Sequence, residues 1–319
     1  MSILSNTRII TMICWVISAV ALLGLTAWLI VSVINSGLSF NSGAGMGPHQ
    51  LISEQHVPAA QIDSIDIDWT AGAVTVRGFH GNEIQISEFA RTGLRENEQM
   101  SINTYDGTLS ISFTQHRVLR NNMPSKQLEV LIPYAMSGDL ESLRVNNVAG
   151  RIEVHGIDIN TVNASTMSGR VTLHEISADA INVSATSGRI ELFDINARDA
   201  YLHSVSGRVA AINSEIGNID INATSGSIEI TGSFEDINAR SLSGRIEVVS
   251  RIVPDSLIAN ATSGRISVTV PNEGEPISVQ YQLGSGRFTS GVPVITHAGA
   301  GAQFNLSSAS GRIEIMELR

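Results

Sequence analysis

A chain of 319 residues with only 16% charged residues and a mean hydropathy of +0.14 is more apolar than an ordinary soluble domain, so part of it should meet a membrane. Acidic residues (30) outnumber basic ones (20), and the formal net charge of −10 argues against nucleic acid as a partner. The only cysteine, Cys14, excludes an intramolecular disulfide framework.

The apolar signal sits at the start. Residues 9–34 carry no charge, and this exceeds the roughly 20 residues needed to span a bilayer. Arg8 precedes the stretch and no further Lys or Arg follows until Arg77, so the positive-inside bias places residues 1–8 in the cytoplasm. The reading is a signal-anchor helix over 9–34 in the plasma membrane, single-pass, with everything beyond it extracytoplasmic. A cleaved signal peptide competes with this, because SGAG at 42–45 imitates a small-residue cleavage site. Its apolar core would, however, run far beyond the usual 7–15 residues. No cysteine follows to accept a lipid. Residues 35–51, rich in Gly and Ser, read as a flexible linker.

From residue 52 to 319 one phrase recurs. It begins weakly as SIDIDWTAGAVTV (64–76) around Gly72 and MSINTYDGTLSIS (100–112) around Gly107, with RTGLRENEQ (91–99) and HRVLRNNMPSKQ (116–127) as protruding loops. It becomes regular at SLRVNNVAGRIEV (142–154) and continues through ATSGRIEL (185–192) to SASGRIEI (308–315). The glycines are Gly150, Gly169, Gly188, Gly207, Gly226, Gly244, Gly264, Gly286 and Gly311, spaced by 19, 19, 19, 19, 18, 20, 22 and 25 residues. Four equal intervals in a row mark a repeat protein.

Two residues after each glycine the side chain is apolar (Ile152, Val171, Ile190 and onward to Ile313), and four after it apolar residues prevail. Seven and five residues before it lie apolar pairs such as Ile181/Val183 and Leu257/Ala259. Alternation of period two means strands with one buried face. Each repeat is thus read as two short strands meeting at a Ser-Gly corner, with glycine taking a positive φ. One unit cannot bury its apolar face alone, whereas units stacked about 4.8 Å apart can. The expected fold is all-β: a single β-solenoid of two-strand turns of about 19 residues, preceded by the transmembrane helix. The strand of Ile313 and Ile315 ends the chain. Its edge is therefore expected either to be covered by the longer turns before it, with HAGAGAQ (297–303) a candidate, or to pair with a second copy in a weak homo-oligomer.

The membrane anchor, the divergent strands ending in LEVLIPY (128–134) and the serial SG-x-I-x-I turns resemble the bacterial "putative adhesin" β-strand-repeat family of unknown function, also called toast-rack domains. The resemblance covers nearly all of 55–319. It implies an extracytoplasmic role in the cell envelope, with an envelope component or membrane protein as partner, and it supplies no catalytic residues.

The sharpest chemical feature follows the glycines. Arg151, Arg170, Arg189, Arg208, Arg245, Arg265, Arg287 and Arg312 hold the next position in eight of nine turns, with Ser227 as the gap. Glu153, Glu191, Glu229, Glu247 and Glu314 sit two residues further on and face the same side. One reading is a surface Arg–Glu network; the other is a strip that grips polyanions such as wall teichoic acids or anionic headgroups through guanidinium forks. Five N-x-S/T sequons, at Asn163, Asn182, Asn222, Asn260 and Asn305, recur because outward strand positions are polar. His155 and His174 occupy equivalent positions in adjacent turns, but no third ligand joins them by register, so neither metal nor cofactor is expected. Tyr201, His203 and Arg240 depart from the repeat without forming a catalytic set. The function that follows is non-enzymatic binding, adhesion or envelope-stress sensing. The alternative is a β-solenoid enzyme acting on anionic polysaccharide.

Overall fold

The computed structural model describes residues 49–91, 93–94, 98–113, 126–136, 138–296 and 301–318. The stretch 9–34, Cys14 and most of the linker lie outside the described residues, as do much of the loops 91–99 and 116–127 and residues 297–300. Among the described residues no helix is long and apolar enough to cross a membrane. The first strand starts at Gln50, two residues inside the segment read as linker.

The chain is all-β. Gln50–Pro58 (β1), Ser64–Ala71 (β2), Ala73–Phe79 (β3), Glu83–Ala90 (β4), Ser101–Tyr105 (β5), Thr108–Phe113 (β6), Lys126–Pro133 (β7) and Ser142–Ala149 (β8) build the first end. Ile152–Phe193 (β9), Asn196–Ser206 (β10), Val209–Ser225 (β11), Ile228–Ser243 (β12), Ile246–Ser250 (β13), Ser256–Ser263 (β14) and Ile266–Val270 (β15) form the regular stack. Ile277–Ser290 (β16), Val294–Ile295 (β17) and Gln303–Glu317 (β18) close it. Neighbouring turns pair in parallel, nearly always residue for equivalent residue. Ile190 lies beside Val209, Val209 beside Ile228, Ile228 beside Ile246 and Ile246 beside Ile266.

That register makes the alternation into columns. The position two after each corner glycine, from Val74 through Ile152, Ile190 and Ile228 to Ile313, is fully buried, except for the half-buried Phe288 after Gly286. The upstream pairs are buried too, among them Ile65/Ile67, Ile181/Val183 and Phe304/Leu306. Each large aliphatic side chain so buried contributes about 1.5–3 kcal/mol, and only because the next turn covers it. The core is therefore one continuous column along the stack.

The corner glycines are set by more than backbone angle. A Cβ built on any of them would lie 1.6–1.9 Å from the carbonyl oxygen of the corner residue in the adjacent turn, whereas ordinary contact begins at 3.4 Å. The corners therefore stack backbone on backbone. Most also take a left-handed φ, from +104° at Gly72 to +157° at Gly311, as expected. Gly188 does not, and is required there by close approach alone.

A second corner was not read from the sequence. Six residues after the glycine the chain turns again at Gly156, Glu175, Asp194, Asn213 and Gly232, and the three non-glycine residues share φ = 54°. Asp and Asn tolerate this region because their short polar side chains bond locally, and Asn213 donates to Asp194 in the adjacent turn.

Both ends depart from the expected order. Gly107 is not a stacking corner; with Asp106 it makes the tight reversal between the antiparallel strands β5 and β6. The outermost turn is instead β6 followed by β7, lying in parallel on β2 and β3, with Lys126 in place of the corner glycine. At the far end β18 is not an edge. It pairs with β14 and β15 on one side and with β16 on the other. The final strand inserts between turns made before it, so the longer preceding segment does cover it, and the free edge belongs to β16. Among the described residues, 280–290 pair only on the β18 side. Tyr281 and Phe288, standing where other turns bury aliphatics, stack at 4.2 Å and 6° over the end of the core.

Candidate functional site

Two outward surfaces run along the stack, one from the strands after the corners and one from the strands before them. The first carries the arginines. Arg151, Arg245 and Arg312 pair with the glutamate of their own turn at 3.5, 3.9 and 3.0 Å. Thr172 and Ala210 stand where Arg170 and Arg208 would find theirs, and these two reach instead to Glu191, at 3.4 Å, and to Glu229 in the following turn. Arg189, Arg265 and Arg287 have no carboxylate partner among the described residues: Glu191 is engaged by Arg170, while Ser267 and Thr289 replace the other glutamates. The paired arginines are roughly half exposed, so each pair contributes at most ~1 kcal/mol. The strip is thus largely neutralised, with cations in excess toward β16, where Arg265, Arg312 and Arg287 neighbour one another.

The second surface was not read as a site, although Tyr201, His203 and Arg240 had stood out. Two outward ladders lie six and four residues before the corners. The first runs Asp66, Arg144, Asn163, Asn182, Tyr201, Asp220, Asn238; the second runs Asp68, Asn146, Ser165, Ser184, His203, Asn222, Arg240. Side chains bond from turn to turn. Asn146 donates to Asp68 at 2.9 Å, Ser165 to Asn146 at 2.6 Å, Asn182 to Asn163 at 3.1 Å and Asn238 to Asp220 at 2.7 Å. Three of the sequon asparagines, Asn163, Asn182 and Asn222, thus sit within these ladders and bond to their neighbours. An open groove of about 560 Å³ follows the ladders from Arg144 to Asn222.

Two further ionisable clusters stand apart from the arginines and the ladders. The rings of His155 and His174 are 5.8 Å apart, and His174 is 3.4 Å from Asp194. Burial, then the Arg77 cation, hold His155 below the ordinary histidine range. No group of three potential metal ligands occurs among the described residues. Lys126, the only lysine, is fully buried against Glu88 at the first end; its ammonium lies 3.3 Å from the centre of the Phe113 ring and donates to the Glu98 carbonyl at 2.6 Å. Burial lowers its pKa, opposed by Glu88.

Residues 62–316 match the Toastrack DUF4097 family. The chain belongs to that family. The resemblance drawn from the SG-x-I-x-I turns is thereby shown, and the Toastrack fold implies the β-solenoid that the register describes. Among solved structures, a "putative lipid binding protein" from Parabacteroides distasonis ATCC 8503 aligns with a TM-score of 0.52 and 15% identity over 86% of this chain and 98% of its own. A "putative adhesin" from Bacteroides fragilis NCTC 9343 aligns at 0.47 and 16%, over 84% and 97%. Another from P. distasonis aligns at 0.48 and 12%, over 85% and 98%. At such identity the first shares the fold alone. No curated protein matches the chain. These neighbours carry adhesin or binding names.

Proposed function

We propose that this Toastrack protein is a membrane-tethered, extracytoplasmic, non-enzymatic binding module of the cell envelope, serving adhesion or envelope-stress sensing. The observation that carries the reading is the ladder surface: turn after turn sets polar side chains outward along an open groove, on a scaffold whose inward and corner positions are fixed by packing. A surface built this way offers many equivalent contacts rather than one reactive centre, which suits extended envelope polymers or another surface. The binding name of the neighbouring structure from P. distasonis with a TM-score of 0.52 agrees with it, and among the described residues no arrangement favours the polysaccharide-cleaving alternative. Tethering is supported by residues 9–34 and by the entry of the chain into the sheet at an edge strand, β1. The arginine strip is read as the stack's neutralised flank.

Topology and binding are tested together. Protease added to intact cells should remove the repeat region while an amino-terminal tag stays protected, and alkaline washing should leave the full-length chain in the membrane. The purified chain in detergent should co-sediment with isolated wall or membrane fractions without releasing reducing ends from anionic polysaccharide. Release of reducing ends would replace the binding reading with the enzymatic one.

A further inference from the structure

We propose that the groove that Tyr201 lines is a binding site for an uncharged glycan chain, with the Tyr201 ring as its stacking platform; this rests on the binding-module reading above.

The ladder is interrupted at one turn. Tyr201 lies in register between Asn182 and Asp220, and His203 between Ser184 and Asn222. On either side the ladder side chains are occupied with one another: Asn182 donates to Asn163 at 3.1 Å, and Asp220 accepts from Asn238 at 2.7 Å. Tyr201 and His203 make no side-chain hydrogen bond to the described residues, and Tyr201 is 53% exposed. A large aromatic ring is not what a solvated ladder needs, and its neighbours in register are an amide and a carboxylate. The turn therefore offers an open aromatic face with the His203 ring beside it, set between ladder groups that already bond to one another.

That combination selects its ligand. A pyranose has an apolar face of C–H groups and a rim of hydroxyls that both donate and accept. The Tyr201 ring covers the face; amide groups donate and accept, the Asp220 carboxylate accepts and the His203 ring can do either. Five turns line the groove, those of Arg144, Asn163, Asn182, Tyr201 and Asp220, so at ~4.8 Å per turn it runs roughly 19 Å, room for several sugars in a row. A polyanion fits poorly, because the groove carries one guanidinium, Arg144, at one end and one carboxylate, Asp220, at the other, and so offers no excess of cations along its length. An acyl chain fits no better, since the outward side chains of both ladders are polar.

The repeat supplies an unusually clean variant. Tyr201→Asn installs the residue that Asn182 and Asn163 already carry at this position, so the fold has its own precedent for it. Full-length protein in detergent would be titrated by calorimetry with cellohexaose, chitohexaose and maltohexaose, and separately with poly(glycerol phosphate). Expected is binding of at least one neutral hexasaccharide, little affected by salt. It should weaken roughly tenfold or more in Tyr201→Asn, the scale of one lost aromatic stack, and survive largely in Tyr201→Phe. Melting temperatures of both variants should match that of the parent. Failure to bind any of the three sugars while envelope fractions still co-sediment would overturn the glycan site alone; failure of both would overturn the binding reading too. Sugar binding unchanged in Tyr201→Asn would put the site elsewhere. Salt-sensitive binding of poly(glycerol phosphate) alone, lost with Arg265→Gln and Arg287→Gln but not with Tyr201→Asn, would hand the role to the arginine strip.

Discussion

Replacing Gly188 by alanine separates two reasons for a glycine that usually travel together. Its backbone is outside the left-handed region, so alanine meets no torsional penalty there. The new Cβ, however, would sit 1.6 Å from the carbonyl oxygen of Gly169 and 2.7 Å from its carbon. Restoring ordinary contact at 3.4 Å requires the two turns to part by nearly 2 Å at the corner, and the obstacle is backbone rather than a flexible side chain. Separation on that scale breaks the ladder bonds nearest the corner, each contributing about 1 kcal/mol, and adds the usual overpacking cost of about 1–3 kcal/mol. The expected loss is about 3–4 kcal/mol, read from urea denaturation of the purified chain. Gly274→Ala, where nothing lies within 4 Å of the added carbon but φ is +85°, isolates the torsional penalty and should cost only about 1 kcal/mol. A Gly188→Ala transition within about 0.5 kcal/mol of the parent would refute the stacked-corner account.

Three further outcomes follow. Lys126→Met should cost about 3–5 kcal/mol by leaving the Glu88 carboxylate buried without its cation, and adding Glu88→Leu should recover most of that; a single variant as stable as the parent would mean the pair is not closed in solution. Because burial and Arg77 lower the His155 pKa, the unfolded chain binds more protons than the folded one just below pH 6.5, so stability should fall as pH drops through that value; a parent and a His155→Gln variant with identical denaturation midpoints from pH 7.5 to 5 would exclude the effect. The free edge 280–290 carries one charge, Arg287, and should self-associate weakly, with Tyr281→Lys restoring a monomer; sedimentation showing only monomer at every concentration would count against it.

What was legible in the sequence was whatever the stack repeats. A column must satisfy the same packing in every turn, so Ile190, Val209, Ile228 and Ile246 announce themselves by period, and the glycines likewise. The period could not reveal the second corner, because Gly156, Glu175, Asp194 and Asn213 share only a tolerance for positive φ and no common side chain. Nor could it reveal the ends. Around Gly107 the alternation is as good as elsewhere, yet an Asp-Gly pair between alternating runs also encodes a hairpin, and that is what forms. At the other end the strand of Ile313 has the same pattern whether it lies last or second to last. In the structure it lies second to last, and the outermost strand, β16, carries Tyr281 and Phe288, whose rings stack on one another at 4.2 Å where other turns bury aliphatics.

The same division explains why the candidate glycan site was visible only as an oddity. Inward and corner positions are coupled to the turn above and the turn below, so a change there disturbs three turns at once. Ladder positions point outward and are held by single side-chain bonds, such as that of Asn182 to Asn163, whose net contribution is about 1 kcal/mol. A tyrosine can therefore replace an asparagine at 201 at little cost to the fold, and the fold gains nothing obvious from it: the ring is 53% exposed. Where a repeat departs from its own rule at a position that packing leaves free, stability does not account for the departure. Recognition at the surface does, which is why the variant that restores the rule at Tyr201 is the one expected to melt normally and fail to bind.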